Sequence, residues 1–362
     1  MSAPATDALR LAVLPGDGIG PEVTEAALAV LAAILDGAGI RLETSQHLIG
    51  GAGLDTAGDP LPAATLRAAR EADAVVLGAV GGPRWSGGQP RPESGLLRLR
   101  AGLGAFANLR PVRVWPGLEG LSPFRPEVAR GADLLFVREL TGGIYFGRPK
   151  GVAGSAPRRH SVDTSEYGEE EVRRVAEVAL EAASRRRGLV TSVDKDNVLA
   201  TSALWREVVT ETALDFPQVR LEHQLVDSFA LGLLQHPREF DVVLTENLFG
   251  DILTDEAAAL VGSLGVLPSA SGGGTGPWLY EPVHGSAPGL VGTGSANPLG
   301  ALASMALLLR LTLEREDLAA ALEQALAEVI VSGRLTPDLG GGASTREVTG
   351  AVLARLGVGS PA

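Results

Sequence analysis

Apolar residues fall along this chain in runs that switch between two periods. "LRLAVLPG", Leu9 to Gly16, is a short apolar run closed by a turn, the pattern of a buried strand. "PEVTEAALAVLAAIL" follows at helical spacing, with Pro21 at its first position. "ADAVVLGAVGGP" and "GADLLFVREL" read as further buried strands. "SEYGEEEVRRVAEVALEAASRRRG" predicts an amphipathic helix with Val172, Val175, Ala176, Ala179 and Ala182 on one face, acids leading, arginines closing and Gly188 stopping it. After it come "LVTSVDKDN" (strand), "VLATSALWREVVTETAL" (helix), "VRLEHQLV" (strand) and "DSFALGLLQH" (helix). "FDVVLTEN" (strand), "GDILTDEAAALVG" (helix) and two late helices, "ALASMALLLRLTL" and "DLAAALEQALAEVIV", complete the pattern. Strand alternating with helix predicts a largely parallel α/β sheet. Between these elements, "GRPKGVAGSAPRRHS" is polar and turn-rich and predicts an arm or hairpin, and "HGSAPGLVGTGSANPLG" reads as a glycine-rich loop. No repeat of 20–50 residues is visible.

Composition narrows the class. The 362 residues suffice for two domains or one large α/β unit. With 45% hydrophobic but only 4% aromatic residues, Ala, Leu and Val must do most of the packing. A net charge of −12 argues against a nucleic-acid footprint, although a few local arginines can still hold an anionic substrate. The absence of cysteine excludes disulfides and thiolate chemistry and fits a reducing compartment. The N-terminus has no basic flank or long apolar core, and no apolar run approaches the ~18 residues of a membrane span. A soluble cytoplasmic protein is expected, with no membrane partner.

Candidate chemistry gathers at strand ends. Asp194–Lys195, Asp227 and Asp251 each follow a predicted strand, and ligands of open α/β sheets bind outside the carboxyl ends of strands. Asp251 and Asp255, four apart, share a helical face. Alone they read as acids favoured by a helix dipole; with Asp227 they could form an oxygen ligand set for Mg²⁺ or Mn²⁺. Of 31 basic residues only Lys150 and Lys195 are lysines. Such a bias towards arginine makes a retained lysine a candidate for proton chemistry, because arginine cannot release its proton. Arg100, Arg110 and Arg138 sit in or beside apolar runs and need partners, and arginine grips carboxylates in a two-toothed fork. Tyr145 is one of three tyrosines and reads by itself as a core residue. "GDGIG", Gly16 to Gly20, lacks the dinucleotide spacing G-x-G-x-x-G and reads as a tight turn.

Taken together, "GDGIGPEV", "ESGLLRLR", "FANLRPVRVW", "VRELTGGIYFG", "SVDKDNVL", "EHQLVDSFA", "GDILTDEAAALVGSLGVLPSAS", "EPVHGSAPG" and "GSANP" resemble the isocitrate/isopropylmalate dehydrogenase family of metal-dependent decarboxylating dehydrogenases, in particular its 3-isopropylmalate branch. The resemblance runs in order from about residue 11 to about residue 355. Isocitrate- and tartrate-type relatives carry an Asn-Thr-Glu-Gly or similar run where this chain has Leu140-Thr141-Gly142-Gly143. It implies a two-domain, non-Rossmann α/β fold with mixed or parallel sheets flanked by helices. Residues 1–105 and 262–362 would form a discontinuous cofactor domain, and 106–261 a substrate, metal and dimerisation domain with an arm near 148–165. It implies NAD-dependent oxidative decarboxylation of 3-isopropylmalate in leucine biosynthesis, by a homodimer with shared active sites. Arg100, Arg110 and Arg138 would grip the substrate carboxylates, and Asp227, Asp251 and Asp255 would hold Mg²⁺ or Mn²⁺. Lys195 and Asp227 would reach in from the partner subunit, and Lys195 and Tyr145 would move protons. Glu93, Leu96 and Leu97 would lie by the nicotinamide and the isopropyl group. The stretch from Gly82 to Glu93 and the loop from Gly285 to Asn297, with His284, Ser286 and Ala287 in the same motif, would bind NAD.

One departure stands out. The family usually has an acid after "HGSAP" to bind the adenosine ribose; here that position is Gly289, followed by Leu290 rather than the Lys-Tyr pair of NADP-preferring relatives. NAD use with weak discrimination is therefore expected. Thr254 stands where Ser is common and carries little weight in the sequence. Siblings acting on homoisocitrate, isocitrate or tartrate remain alternatives, as does a catalytically silent regulatory subunit; Leu96 and Leu97 favour an apolar substituent over a third carboxylate.

Overall fold

The computed structural model describes residues 7–87 and 90–357. Expectations for Met1 to Thr6, for Gly88 and Gln89 within the 82–93 stretch, and for 358–362 lie outside the described residues. In chain order the elements begin β1 (Ala8–Gly16), α1 (Gly20–Gly37), β2 (Arg41–Gln46), α2 (Gly50–Ala57), α3 (Ala63–Glu71), β3 (Ala74–Ala79), α4 (Glu93–Gly102) and β4 (Ala107–Arg113). Next come α5 (Pro126–Ala129), β5 (Asp133–Glu139), β6 (Gly151–Ala153), β7 (His160–Val162), α6 (Glu169–Ser184), β8 (Leu189–Asp194), α7 (Ala200–Ala213) and β9 (Arg220–Leu225). The rest are α8 (Val226–Gln235), β10 (Val242–Thr245), α9 (Asn247–Val261), β11 (Pro268–Gly272), β12 (Trp278–Pro282), α10 (Leu299–Leu311), α11 (Glu316–Val331) and α12 (Thr345–Arg355).

These elements form two units: Met1–Ala105 with Trp115–Pro123 and Val261–Ala362, and Phe106–Val114 with Phe124–Leu260. The segment Trp115–Pro123 joins the first unit, whereas the sequence division runs it with the second. In the first unit the strand order is β2-β1-β3-β12-β11, parallel except for the β11/β12 pair. Helix α10 is buried from Leu299 through Leu309, as its all-round apolar sequence requires, and packs on α1, α11, β11 and β12. In the second unit the order is β4-β5-β10-β8-β9. Only β4 runs antiparallel, so the carboxyl ends of β5, β10, β8 and β9 share one edge.

Helix α6 keeps the predicted face with one correction. Val172, Val175, Ala176 and Ala179 are buried, but Leu180 and Ala183 continue the face and Ala182 is only half-buried. Its closing arginines lie beyond the last turn: Arg186 and Arg187 instead pair with the buried Asp241. Strands β2, β4, β11 and β12 carry no strand pattern in the sequence. β2 is a polar, mostly exposed edge, β4 is interrupted by Pro111, and β11 is built from Pro, Ser, Ala and Gly. The turn-rich arm is a two-stranded antiparallel hairpin, β6 with β7, exposed along both strands.

Candidate active site

The parallel edge of the second unit collects the predicted chemistry. Arg138 is the penultimate residue of β5, Asp194 ends β8, Asp227 follows β9, and Asn247 opens α9 just after β10. Helix α9 starts three residues before the predicted Gly250, so its first turn holds no acid and Asp251 lies in the second. A helix dipole acts mainly within the first turn, which removes the ordinary reason for an acid at Asp251. For Asp227, in the first turn of α8, that reason stands.

Arg138 is 5% exposed, and its charge is met from several sides. Its Nη1 donates to Asp251, while Nε and Nη2 donate to Asn247 Oδ1 at 3.2 and 2.8 Å. Tyr145 Oη donates to the other Asp251 oxygen at 2.8 Å. Burial alone raises the Asp251 carboxyl, but Arg138, the Tyr145 hydrogen bond and Arg110 outweigh it and hold the group below its ordinary range. Tyr145 moves the opposite way: burial and the Asp251 carboxylate push its phenol up, so it keeps its proton. It is not the core residue its rarity suggests, being 38% exposed. The loop leading to it is pinned by buried Glu139, which accepts backbone N–H bonds from Thr141 and Gly142 at 2.8 Å each. Tyr167 closes the same region: its Oη accepts the Asn247 N–H at 3.0 Å and donates to Glu246 at 3.3 Å.

Lys195 and Asp227 form a second pair, hydrogen-bonded to each other, and the lysine draws the Asp227 carboxyl below its usual value. Lys195 is not buried within one chain; 27% of its side chain is exposed. Asp194 beneath it is fixed by Arg206, with bonds of 2.8 and 2.9 Å. Asp255 is exposed one turn beyond Asp251. Among the described residues of one chain, no three His, Cys, Asp or Glu side chains gather tightly enough to hold a metal. Asp251 and Asp255 fit part of an oxygen shell for Mg²⁺ or Mn²⁺. Arg110, on β4, donates to Asn108 Oδ1 at 2.7 Å and to Thr254 Oγ1 at 2.8 Å.

In the first unit a separate rim forms where β1, β3 and β12 end. Asp17, in the "GDGIG" turn, accepts backbone N–H bonds from Gly51, Ala52 and Gly81, each at 2.8 Å. The turn also bonds to Ala79 O through Asp17 N (2.8 Å) and to Ser286 O through Ile19 N (2.9 Å). Gly18 has φ +60, and a Cβ there would stand 1.9 Å from Ser286 O, so no other residue fits. The turn thus ties Gly81 to Ser286 of the His284–Ala287 loop, a role its spacing conceals. Glu93 lies against Gly81, and Leu96 packs on the core around Leu77 and Leu99 while Leu97 is 52% exposed. Arg100 bonds Glu281 at 2.6 Å. Burial lowers His284, and its Nδ1 bonds Gly285 O. Around Gly285 and Gly289 there is open space, and the exposed glycine-rich rim fits an extended ligand such as a dinucleotide. Asn297 spends its amide on Leu299 N–H and Asp338, a structural task.

Sequence reasoning missed Asp17, Asn108, Glu139, Tyr167, Asn247 and Glu281, and it noted Thr254 but gave it little weight. Only Asn247 and Thr254 carried a local signal, as neighbours of Asp251 at helical spacing.

Comparison with known proteins shows the family to which the chain is similar. The isocitrate/isopropylmalate dehydrogenase family matches residues 10–352. A 3-isopropylmalate dehydrogenase of Anaeromyxobacter dehalogenans is 53% identical over 96% of this chain and 99% of its own length. One from Streptococcus pneumoniae is 49% identical over 96% of this chain and all of its own. Among solved structures, an isocitrate dehydrogenase from Methylococcus capsulatus superposes with a TM-score of 0.85 at 32% identity, covering 96% of this chain and 99% of that one. A beta-decarboxylating dehydrogenase from Thermococcus kodakarensis gives 0.80 at 36% identity, covering 96% of each. On its motifs, its fold and these relatives, the chain belongs to the isocitrate/isopropylmalate dehydrogenase family.

Proposed function

We propose that this chain is a metal- and NAD-dependent enzyme that converts 3-isopropylmalate to 4-methyl-2-oxopentanoate and CO₂ in leucine biosynthesis. The observation that carries the reading is the Arg138–Asp251–Tyr145 constellation at the carboxyl edge of the parallel strands, in a chain about half identical to enzymes of that name. Arg100, Arg110 and Arg138 hold the substrate carboxylates through their planar forks. Asp251 and Asp255, with Asp227 supplied by a second copy, would hold Mg²⁺ or Mn²⁺. A cation held there would supply Lewis acidity to the substrate hydroxyl, and a bound nicotinamide would supply the hydride acceptor. Lys195, oriented by Asp227, takes the hydroxyl proton. Tyr145, still protonated, delivers a proton to the carbon that loses CO₂.

Leu97 favours isopropylmalate over a tricarboxylate, because an exposed apolar side chain leaves a third carboxylate unpaired. A homodimer is favoured by Leu231 on α8 and Ile252 on α9, each 58% exposed, and by the apolar residues of the β6/β7 arm. NAD is the expected cofactor, with weak discrimination against NADP because Gly289 offers no carboxylate to a ribose.

The test is a steady-state assay with isopropylmalate and with isocitrate, with and without Mg²⁺, using each nicotinamide cofactor. Metal-dependent turnover of isopropylmalate with NAD is expected. Equal turnover of isocitrate would move the assignment to a sibling enzyme, and a dead purified chain would favour a regulatory subunit. A preference for NAD of thousands-fold would sink the weak-discrimination reading.

A further inference from the structure

Four residues of α9 at helical spacing, Asn247, Gly250, Asp251 and Thr254, make one face, and that face meets two arginines from neighbouring strands. Asn247 Oδ1 takes the Nε and Nη2 edge of Arg138, and Asn247 Nδ2 donates to Gly142 O at 3.2 Å. The stem of Arg138 crosses the helix over Gly250, where a Cβ would stand 2.6 Å from the arginine Cγ and 2.4 Å from Thr245 Oγ1. Asp251 then takes Nη1. One turn on, the Thr254 hydroxyl accepts from Arg110 Nη1 at 2.8 Å and donates to Asp251 O at 3.1 Å, so both its hydrogen-bonding roles are used. Asn247 and Thr254 are 1% and 3% exposed, so bulk water cannot replace these bonds.

A long arginine side chain recognises a carboxylate through two parallel bonds only if the plane of its guanidinium is already set. Here the same helix face helps set the plane of both, Arg110 being held at its Nε by Asn108 Oδ1 as well. We propose that Asn247 and Thr254 are positioning residues, which aim Arg138 and Arg110 at the substrate carboxylates while touching no reacting atom themselves. This rests on the reading that those two arginines bind substrate. It also makes α9 one structural ruler: the helix that presents the metal-binding carboxylates fixes the groups that orient the molecule to be chelated.

Thr254 allows a clean test, because valine copies its shape without the hydroxyl and serine keeps the hydroxyl. Misaiming a substrate-positioning group can cost up to ~100-fold. Thr254→Val is expected to raise the KM for isopropylmalate about tenfold and leave the KM for NAD unchanged, with Thr254→Ser within about twofold of the parent. Asn247→Leu is expected to act the same way, and Asn247→Ser replaces it if the leucine variant does not fold. In an Arg110→Lys background, Thr254→Val should add less than about twofold, because the group it aims has gone. The proposal is overturned if the valine and serine variants are equally active. It is also overturned if both KM values rise together, as for a merely structural residue, or if the losses multiply in the Arg110→Lys background. Arg110→Lys with an unchanged substrate KM would instead remove the substrate-binding reading. A tenfold rise there with a silent Thr254→Val would remove this inference alone.

Discussion

Replacing Asp251 by Asn keeps the side-chain volume and removes one charge, so its effects on folding and on chemistry can be separated. In the folded chain the Asp251 side chain is 41% exposed and Arg138 only 6%. Breaking a fully buried ion pair costs about 3–5 kcal/mol and an exposed one about 0.2–1. With one partner well solvated and Arg138 still held by Asn247, the loss of stability should be about 1–2 kcal/mol. That lowers the melting temperature by a few degrees, and the fold survives. Catalysis suffers far more. A cation that polarises the reacting oxygen supplies several kcal/mol, and losing about 4 kcal/mol lowers kcat roughly a thousandfold. Melting curves with and without Mg²⁺ give a readout independent of turnover. Metal at 100 times its Kd stabilises the parent by about 2.7 kcal/mol, and the variant should lose most of that gain. A variant with parental kcat and an undiminished response to Mg²⁺ would refute the metal-ligand role.

Three further outcomes are expected. Lys195→Arg keeps a cation beside Asp227 but cannot exchange a proton, so kcat should fall about 100-fold or more at a near-parental melting temperature; full activity would remove the proton-transfer role. Gly289→Asp enters open space at an ordinary backbone angle and should lower the KM for NAD by about tenfold, measured by NADH absorbance; no change would place the ribose elsewhere. His223 is held below its ordinary value by burial and by Arg206, so below about pH 6.5 the unfolded chain takes its proton first. Folding stability should therefore fall as the pH drops from about 6.5 towards the lower folded value, and His223→Gln should flatten that stretch of the urea-midpoint profile.

Much of this was legible along the chain, and the physical reason is locality. The face of α6 follows from the 3.6-residue period, and buried parallel strands announce themselves as apolar runs. Acids that follow three such strands, at Asp194, Asp227 and near Asp251, can be read off because parallel strands align their carboxyl ends. Motif order then fixed the family. What resisted reading either lacked a period or depended on a distant partner. β2 is a solvated edge, β11 is made of small residues, and Pro111 interrupts β4.

Partnership is the larger gap. Arg100 meets Glu281 across 181 positions and Arg138 meets Asn247 across 109. No local pattern couples residues so far apart, and the "GDGIG" turn looks like any tight turn until the Asp17 carboxylate is seen taking three backbone N–H groups. The sequence by itself determined which elements form and which side chains could do chemistry, because those depend on neighbours within a few residues. Only the tertiary structure decided which of those side chains restrain one another. Burial forces each polar group to find a partner, and the fold alone determines which partners come within reach.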